Sequence, residues 1–394
     1  MWPQARFASV DTQPLRARVR DRMPALDGLR GLAVIVIVWH NVAGVGNGVG
    51  HTLAAKIYFA AAATGWVAVT LFFALSGFLI TGILLDSRDD LHAWRTFIVR
   101  RFLRIFPLYY VSLTIAFLLL PRVGILPSWL VSDRNHQAWY WTYLVNWSEP
   151  FGLGGPGLGH FWSLAVEEQF YLLWPFLALN LASRRLASVS AVLVLIALFA
   201  RVALLRGPWT PDVATSAIYR FTICRWDALA LGAMVAIAAR DERWSLELLR
   251  YVWPGTLVLL ACTLSLAVWR HGFGSWDWPI DTVGETVVAG LCAGIVALAA
   301  YPDLGAPAAF QRALMHPTLR AVAKYSYAIY VIHFPLTHVV AQRLPQNVVR
   351  AGGMDSVVMF TVAFVGVFAM SYAAAMISWR LLENPMLSLR RHLA

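Results

Sequence analysis

The chemistry open to this sequence lies with the few ionisable side chains inside its long apolar runs, because a charge held in hydrocarbon is too costly to persist without a partner or a use. In the first run, Asp27 and Arg30 are followed after nine residues by His40. On a helix the separation is roughly 15 Å, about half the thickness of a bilayer core. Arg30 then lies near one surface and His40 deep in the membrane or in its far half. An imidazole that titrates near neutral pH and is kept from bulk water can take a proton from a hydroxyl and return it. The plainer alternative is a histidine that packs or lines a pore.

Arg100, Arg101 and Arg104 open the third apolar run, ahead of Pro107, Tyr109 and Tyr110. At spacings of three and four they share a helix face, and a forked guanidinium matches phosphate oxygens. Anchoring of topology explains the same residues; a phosphorylated cytosolic ligand is the sharper reading. A further segment runs from His160 through Trp162, Ser163, Glu167, Glu168 and Tyr171 to Pro175. Adjacent carboxylates point about 100° apart on a helix, so at most one of Glu167 and Glu168 faces a given partner. One can orient or charge-balance His40 and the other an arginine, with a structural ion pair as the alternative. Ser76 and Gly77 either let two helices approach or make room for a ligand chain. Arg225 with Asp227, Tyr325 to Tyr327 with His333, and Glu383 to Pro385 read first as buried pairs or caps and second as substrate contacts.

Holding these groups in place requires helices that cross a membrane. Of 394 residues, 59% are hydrophobic and 13% charged, against about 25% charged in an ordinary globular domain. Such a balance excludes a soluble enzyme, a disordered chain and a DNA-binding domain. The net charge of +11 is no nucleic-acid signal, since the 32 lysines and arginines mostly flank apolar runs. The runs lack period-2 alternation, so they are helices and not barrel strands. The expected fold is an all-α polytopic bundle with ten spans at about 27–46, 62–85, 103–121, 163–182, 187–205, 220–239, 251–269, 283–301, 323–342 and 355–380.

Arg16, Arg18, Arg20 and Arg22 precede the first span; Arg95 to Arg104, Arg184 with Arg185, Arg240 with Arg243, Arg312 with Arg320, and Arg390 with Arg391 follow alternate later ones. Both termini are therefore expected in the cytoplasm. The first run is too long for a cleavable leader and is expected to stay in the membrane. The division expected is a cytoplasmic segment 1–26, a membrane domain 27–385 and a cytoplasmic tail 386–394. Cys224, Cys262 and Cys292 lie in apolar runs without metal-ligand spacing and read as small core residues, so no metal is expected. The longest loop, 122–160, carries Trp129, Trp139, Tyr140, Trp141 and Trp147. It reads as an interfacial aromatic belt, or as a platform for a sugar acceptor.

Taken together, these pieces resemble the acyltransferase-3 family of integral membrane acyltransferases. The resemblance is carried in order by Leu26 to Arg30 with His40, by Leu71 to Thr81, by Arg100, Arg101, Arg104, Pro107 and Tyr109, by His160 to Pro175, by Arg225 to Leu229 with Gly232, by Tyr325 to Pro335, and by Glu383 to Pro385. It implies a plasma-membrane enzyme that moves an acyl group, usually acetyl, from cytosolic acyl-CoA to a hydroxyl of a surface polysaccharide, such as an exopolysaccharide, or of a lipid-linked sugar. On that reading His40 is the base, or the site of a covalent acyl intermediate, with Glu167 or Glu168 as its orienter. Arg100, Arg101, Arg104 and Arg30 bind the CoA phosphates, with Ser76 and Gly77 beside the donor. Ser76, Ser163 and Tyr325 can supply oxyanion donors. His160, Trp162, Ser163, Arg225, Asp227, Tyr325 and His333 are the candidate acceptor contacts. One departure stands out: the family's usual spacing has ten residues between this arginine and histidine, whereas nine separate Arg30 from His40, and one residue turns a helical side chain by about 100°. Some members carry an outer esterase-like domain; none is expected here, so the bundle would transfer the group unaided. Acylation of a secreted small molecule such as a macrolide, and proton-coupled transport, are the alternatives.

Overall fold

The computed structural model describes residues 23–46, 50–270, 272 and 278–389. The arginines expected before the first span and after the last, from Arg16 to Arg22 and at 390 and 391, lie outside the described residues. Ten helices carry the bundle: α1 (Pro24–Gly44), α2 (Val67–Asp86), α3 (Ala93–Leu113), α4 (Phe161–Asn180), α5 (Ser183–Arg206), α6 (Thr222–Ala238), α7 (Glu242–Trp269), α8 (Glu285–Ala300), α9 (Ser326–Ala341) and α10 (Met354–Ser378). The described residues contain no strand. Eight of the helices, with their helical extensions, are long and apolar enough to cross a membrane. The two that fall short are α4, made more polar by Glu167, Glu168 and Gln169, and α9, which has only 16 residues. Both line the site described below, where protein groups replace lipid around their polar side chains.

Helix α2 is the axis of the bundle. In its most apolar window 78% of residues are buried, against 6% for α7, which leaves α7 facing lipid. Helices α2 and α6 cross through reciprocal glycines: a Cβ at Gly77 would fall 1.9 Å from the Leu229 carbonyl oxygen, and one at Gly232 would fall 2.0 Å from that of Ala74. Only backbone without side chains allows that approach. Ahead of α2 the chain is already helical from Leu53 to Ala63, joined to α2 by a 3-10 turn at Thr64–Trp66, in a stretch expected to be mostly loop. A π-turn at Ile280–Gly284 leads into α8 and frees backbone carbonyls that a regular helix would consume. The short helix Pro317–Lys324 packs along α1 at the end of the bundle that carries Arg30, Arg101 and Arg104.

Candidate active site

A cavity of about 210 Å³ opens between α1, α2, α3, α4 and α9. Arg30, Arg101 and Arg104 stand at one end, where α1, α3 and α9 begin and α2 ends; Val69, Phe72, Ser163 and Tyr330 close the other. Its middle is Ser76, Glu167 and Tyr171. Of the residues expected in the site, the structure therefore gathers Arg30, Arg101, Arg104, Ser76, Ser163 and Glu167 around one space. The Ser76 and Tyr171 hydroxyls are hydrogen-bonded, and the Glu167 carboxylate lies beside both, facing the Arg101 guanidinium. Arg101 also packs 5.5 Å over the Tyr171 ring and 5.7 Å over that of Phe97, which fixes its direction. Arg30, Arg101 and Arg104 sit close enough to repel one another, an arrangement that favours an anion between them. Arg100 is exposed and does not line the cavity, and Gly77 is turned toward α6, where it packs.

His40 lies beyond the far end of the cavity. Helix α1 runs unbroken, so the nine intervening residues place His40 roughly 15 Å along the axis from Arg30 and turned about 80° around it; no bulge absorbs the shorter spacing. The Nδ1 of His40 is 2.8 Å from the Ala62 carbonyl oxygen. A carbonyl only accepts, so Nδ1 carries the hydrogen and Nε2 the lone pair. Glu167 and Glu168 are not the groups at this nitrogen. The Oε1 of Glu168 is buried without a hydrogen-bond partner, within electrostatic range of Tyr109, Tyr143 and Tyr327. Asn41, next in chain, donates from Nδ2 to Nε2 of His333 at 3.1 Å, while Nδ1 of His333 donates to the Tyr330 carbonyl at 2.7 Å. His160 packs its ring 5.4 Å from that of His333 and donates from Nε2 to the Val331 carbonyl at 3.2 Å. The Tyr330 hydroxyl, 2.5 Å from Ser163 Oγ, bridges this histidine cluster to the cavity. The sequence offers Tyr171 and Tyr330 only as members of the His160 to Pro175 and Tyr325 to Pro335 stretches and not as site residues, although residues 326, 327, 330, 333 and 334 repeat at the spacing of one helix face.

Arg225 and Asp227 take separate partners. Arg225 pairs with Glu285 of α8, donates to Thr70 Oγ1 at 2.7 Å, and lies over the rings of Phe73 and Tyr219; Trp162 packs against the same two rings. Asp227 pairs with Arg201 of α5, whose guanidinium also donates to the Thr282 carbonyl, in the π-turn, at 3.0 Å. All four charges are buried and balance one another. Tyr325 sits apart, between Tyr372, Trp379 and Lys324.

At the opposite end from the arginines, the aromatic loop is folded onto the bundle. Tyr143 stacks 4.0 Å from Tyr109, and Trp147 stacks 4.6 Å from Phe221. Asp133 accepts from the Tyr140 hydroxyl and from the backbone N–H groups of Gly157 and Leu158, which pins the glycine-rich stretch; burial nonetheless holds its carboxyl above the usual range. Glu149 faces Arg220 at 3.1 Å, and burial outweighs that cation, pushing the carboxyl up to about 7. Gln169 of α4 donates to the Tyr143 carbonyl at 2.8 Å and so ties this layer to the site helix.

The model of the acyltransferase domain matches residues 23–380. The chain belongs to the acyltransferase-3 family. Among the proteins it resembles is the peptidoglycan O-acetyltransferase OatA of Listeria monocytogenes, 28% identical over 93% of this chain and 56% of that protein. The putative peptidoglycan O-acetyltransferase YrhL of Bacillus subtilis is 29% identical over 80% of this chain and 48% of its own, and the O-acetyltransferase OatA of Staphylococcus aureus is 28% identical over 80% and 50%. The chain thus spans about half the length of the curated relatives it matches. No solved structure gives a significant match. Among the described residues no group of three or more His, Cys, Asp or Glu side chains could hold a metal ion.

Proposed function

We propose that this acyltransferase-3 protein resides in the plasma membrane and moves an acetyl group from cytosolic acyl-CoA to a hydroxyl of a cell-wall polysaccharide. The observation that carries the reading is the cavity itself: three guanidiniums at one end, hydroxyls at the other, and an imidazole with a free Nε2 beyond them. The phosphates of the donor dock on Arg30, Arg101 and Arg104, and the pantetheine arm passes Ser76 and Tyr171 toward Ser163 and Tyr330. His40 Nε2 takes the proton of the acceptor hydroxyl as its oxygen attacks the thioester carbonyl. The tetrahedral oxyanion collapses, the CoA thiolate leaves, and the imidazolium returns its proton to the sulfur. Ser163 and Tyr330 serve the oxyanion by turning their hydroxyl hydrogens to it from the His160 carbonyl, to which each donates at 3.1 Å in the resting site. Glu167 acts through Arg101 and the Ser76–Tyr171 pair and holds the donor channel in register. The names of the relatives support a cell-wall glycan as acceptor, and the positive-inside pattern of the loops supports a cytoplasmic arginine end.

The test is the full chain in liposomes with radiolabelled acetyl-CoA and glycan fragments. Free CoA and ester-linked label on the glycan are expected; movement of a substrate across the bilayer without CoA release would make the protein a transporter instead.

A further inference from the structure

Arg30 stands where three cavities meet. The first, at about 210 Å³, is smaller than the roughly 300–1,000 Å³ of ordinary ligand pockets, and a whole CoA molecule needs more room than it offers. The nucleotide then needs room beyond it, and the other two cavities adjoin it at Arg30. The second, about 310 Å³, is lined by Asp27, Asp86, Arg30 and Arg240; Arg240 is already clasped by both Asp86 oxygens at 2.8 and 2.6 Å, and cations and carboxylates cancel. In the third, about 460 Å³, Arg30, Arg104, Arg320 and Lys324 face a single carboxylate, Asp27. Arg320 and Lys324 are four residues apart on Pro317–Lys324 and share one face. The Nε of Arg320 is buried without a hydrogen-bond partner. Lys324 rests 4.9 Å over the Trp379 ring and 5.1 Å over that of Tyr325. Among the described residues neither cation is paired with a carboxylate. Such an excess of positive charge in a concave site calls for a ligand with more than one negative charge.

We propose that this third cavity takes the 3′-phosphorylated ribose end of the acyl-CoA donor, with Arg320 and Lys324 holding the phosphomonoester and Arg30 with Arg104 holding the diphosphate where the cavities join. The inference rests on the acyl-CoA reading above. A phosphomonoester carries close to two charges near pH 7, which matches the two unpaired cations and not the neutral second cavity.

The experiment measures the affinity of the purified full chain, in uncharged detergent, for acetyl-CoA and for acetyl-dephospho-CoA, which has a hydroxyl in place of the 3′-phosphate. Wild type should prefer acetyl-CoA about tenfold or more. Arg320→Gln and Lys324→Gln should each shrink that ratio, and together bring it near one, with affinity for the dephospho form unchanged. Lys324 is exposed, so its variant tests the idea even if the Arg320 variant folds poorly. Equal affinities in wild type, or a ratio untouched by both substitutions, would overturn the assignment while leaving the donor reading in place. So would a ratio lost on Arg240→Gln instead, or substitutions that weaken only binding to vesicles with anionic lipid. Absence of binding to either thioester would overturn both.

Discussion

The imidazole Nδ1 of His40 donates to the main-chain carbonyl of Ala62 at 2.8 Å, so a backbone group, and not a carboxylate, sets the tautomer of the proposed base. That carbonyl closes the last turn of Leu53–Ala63, immediately before the 3-10 turn into α2. The orientation of the ring therefore depends on where two helices meet. In the proposed mechanism, His40→Gln should lower acetyl transfer about 100- to 10,000-fold, the range expected for loss of a general base. Its affinity for acetyl-CoA should stay within about twofold. Turnover and donor binding measured on the same purified protein check this, and retained turnover would remove His40 from the mechanism.

Gly65 tests the same contact from the other side. A Cβ there would come 2.4 Å from the His40 Cβ, closer than real carbon atoms approach. Gly65→Ala must push α1 and the 3-10 turn apart or displace the ring. The expected outcome is a loss in kcat of about tenfold or more, since a misplacement near 1 Å is costly to catalysis, with KM for acetyl-CoA little changed. Steady-state kinetics separate the two; a change in KM alone would place the effect at the donor end.

Arg101 and Arg104 carry the donor reading. Loss of one charge-assisted contact typically costs about 1.5–3 kcal/mol, so Arg101→Gln and Arg104→Gln should each raise the acetyl-CoA Kd about 10- to 100-fold. The wild-type affinity should fall as salt is raised, and more gently in the variants. Arg100→Gln, which alters an exposed side chain outside the cavity, should have a small effect. Titrations at low and high salt check all three, and an equal loss for Arg100 would point to a general surface potential.

Much of the bundle was legible because long apolar runs bounded by arginines leave little freedom of interpretation. The ten expected segments correspond to the ten helices, and the two that fail a strict length and hydropathy test, α4 and α9, are those on which Glu167, Ser163, Tyr330 and His333 are mounted. Arg30, Arg101, Arg104 and Glu167 were legible from residue type and helix position, Ser76 and Ser163 chiefly through the family resemblance, and all six line one cavity. What sequence could not give was the choice of partner across helices. Arg225 and Asp227, two residues apart, turn to Glu285 and Arg201, which come from α8 and α5. Arg201 and Glu285 both lie within expected spans, and the rule that an ionisable side chain in hydrocarbon needs a reason applied to them as it did to His40. The Ala62 carbonyl was illegible for a different reason: a backbone acceptor has no signature in residue type.

The buried pair of Arg225 and Glu285 gives a stability prediction. Removing one partner leaves an uncompensated charge in a low-dielectric interior, at a typical cost of about 3–5 kcal/mol, whereas replacing both by apolar groups of similar size is often neutral or better. Glu285→Leu alone should therefore lower the thermal midpoint of the detergent-solubilised protein markedly. Arg225→Met with Glu285→Leu should recover most of the loss. Additive destabilisation in the double variant would show that Arg225 is held by its Thr70, Phe73 and Tyr219 contacts instead of by the carboxylate.

Glu149 makes the loop layer sensitive to pH. Burial raises its carboxyl to about 7 in the folded protein, against an ordinary value of 4.5. The folded state therefore holds this proton more tightly than the unfolded chain does. Its contribution to stability is fully present below about 4.5 and is lost as pH rises through about 7, a change on the order of 3 kcal/mol by linkage. The Arg220 guanidinium at 3.1 Å opposes the shift without cancelling it. Thermal midpoints measured between pH 4.5 and 8 should fall toward the alkaline side, and Glu149→Gln, which is uncharged throughout, should flatten that slope while keeping the acid-side stability. A wild-type midpoint that rises with pH across this window, with the rise abolished in the glutamine variant, would mean that attraction to Arg220 outweighs the cost of burial.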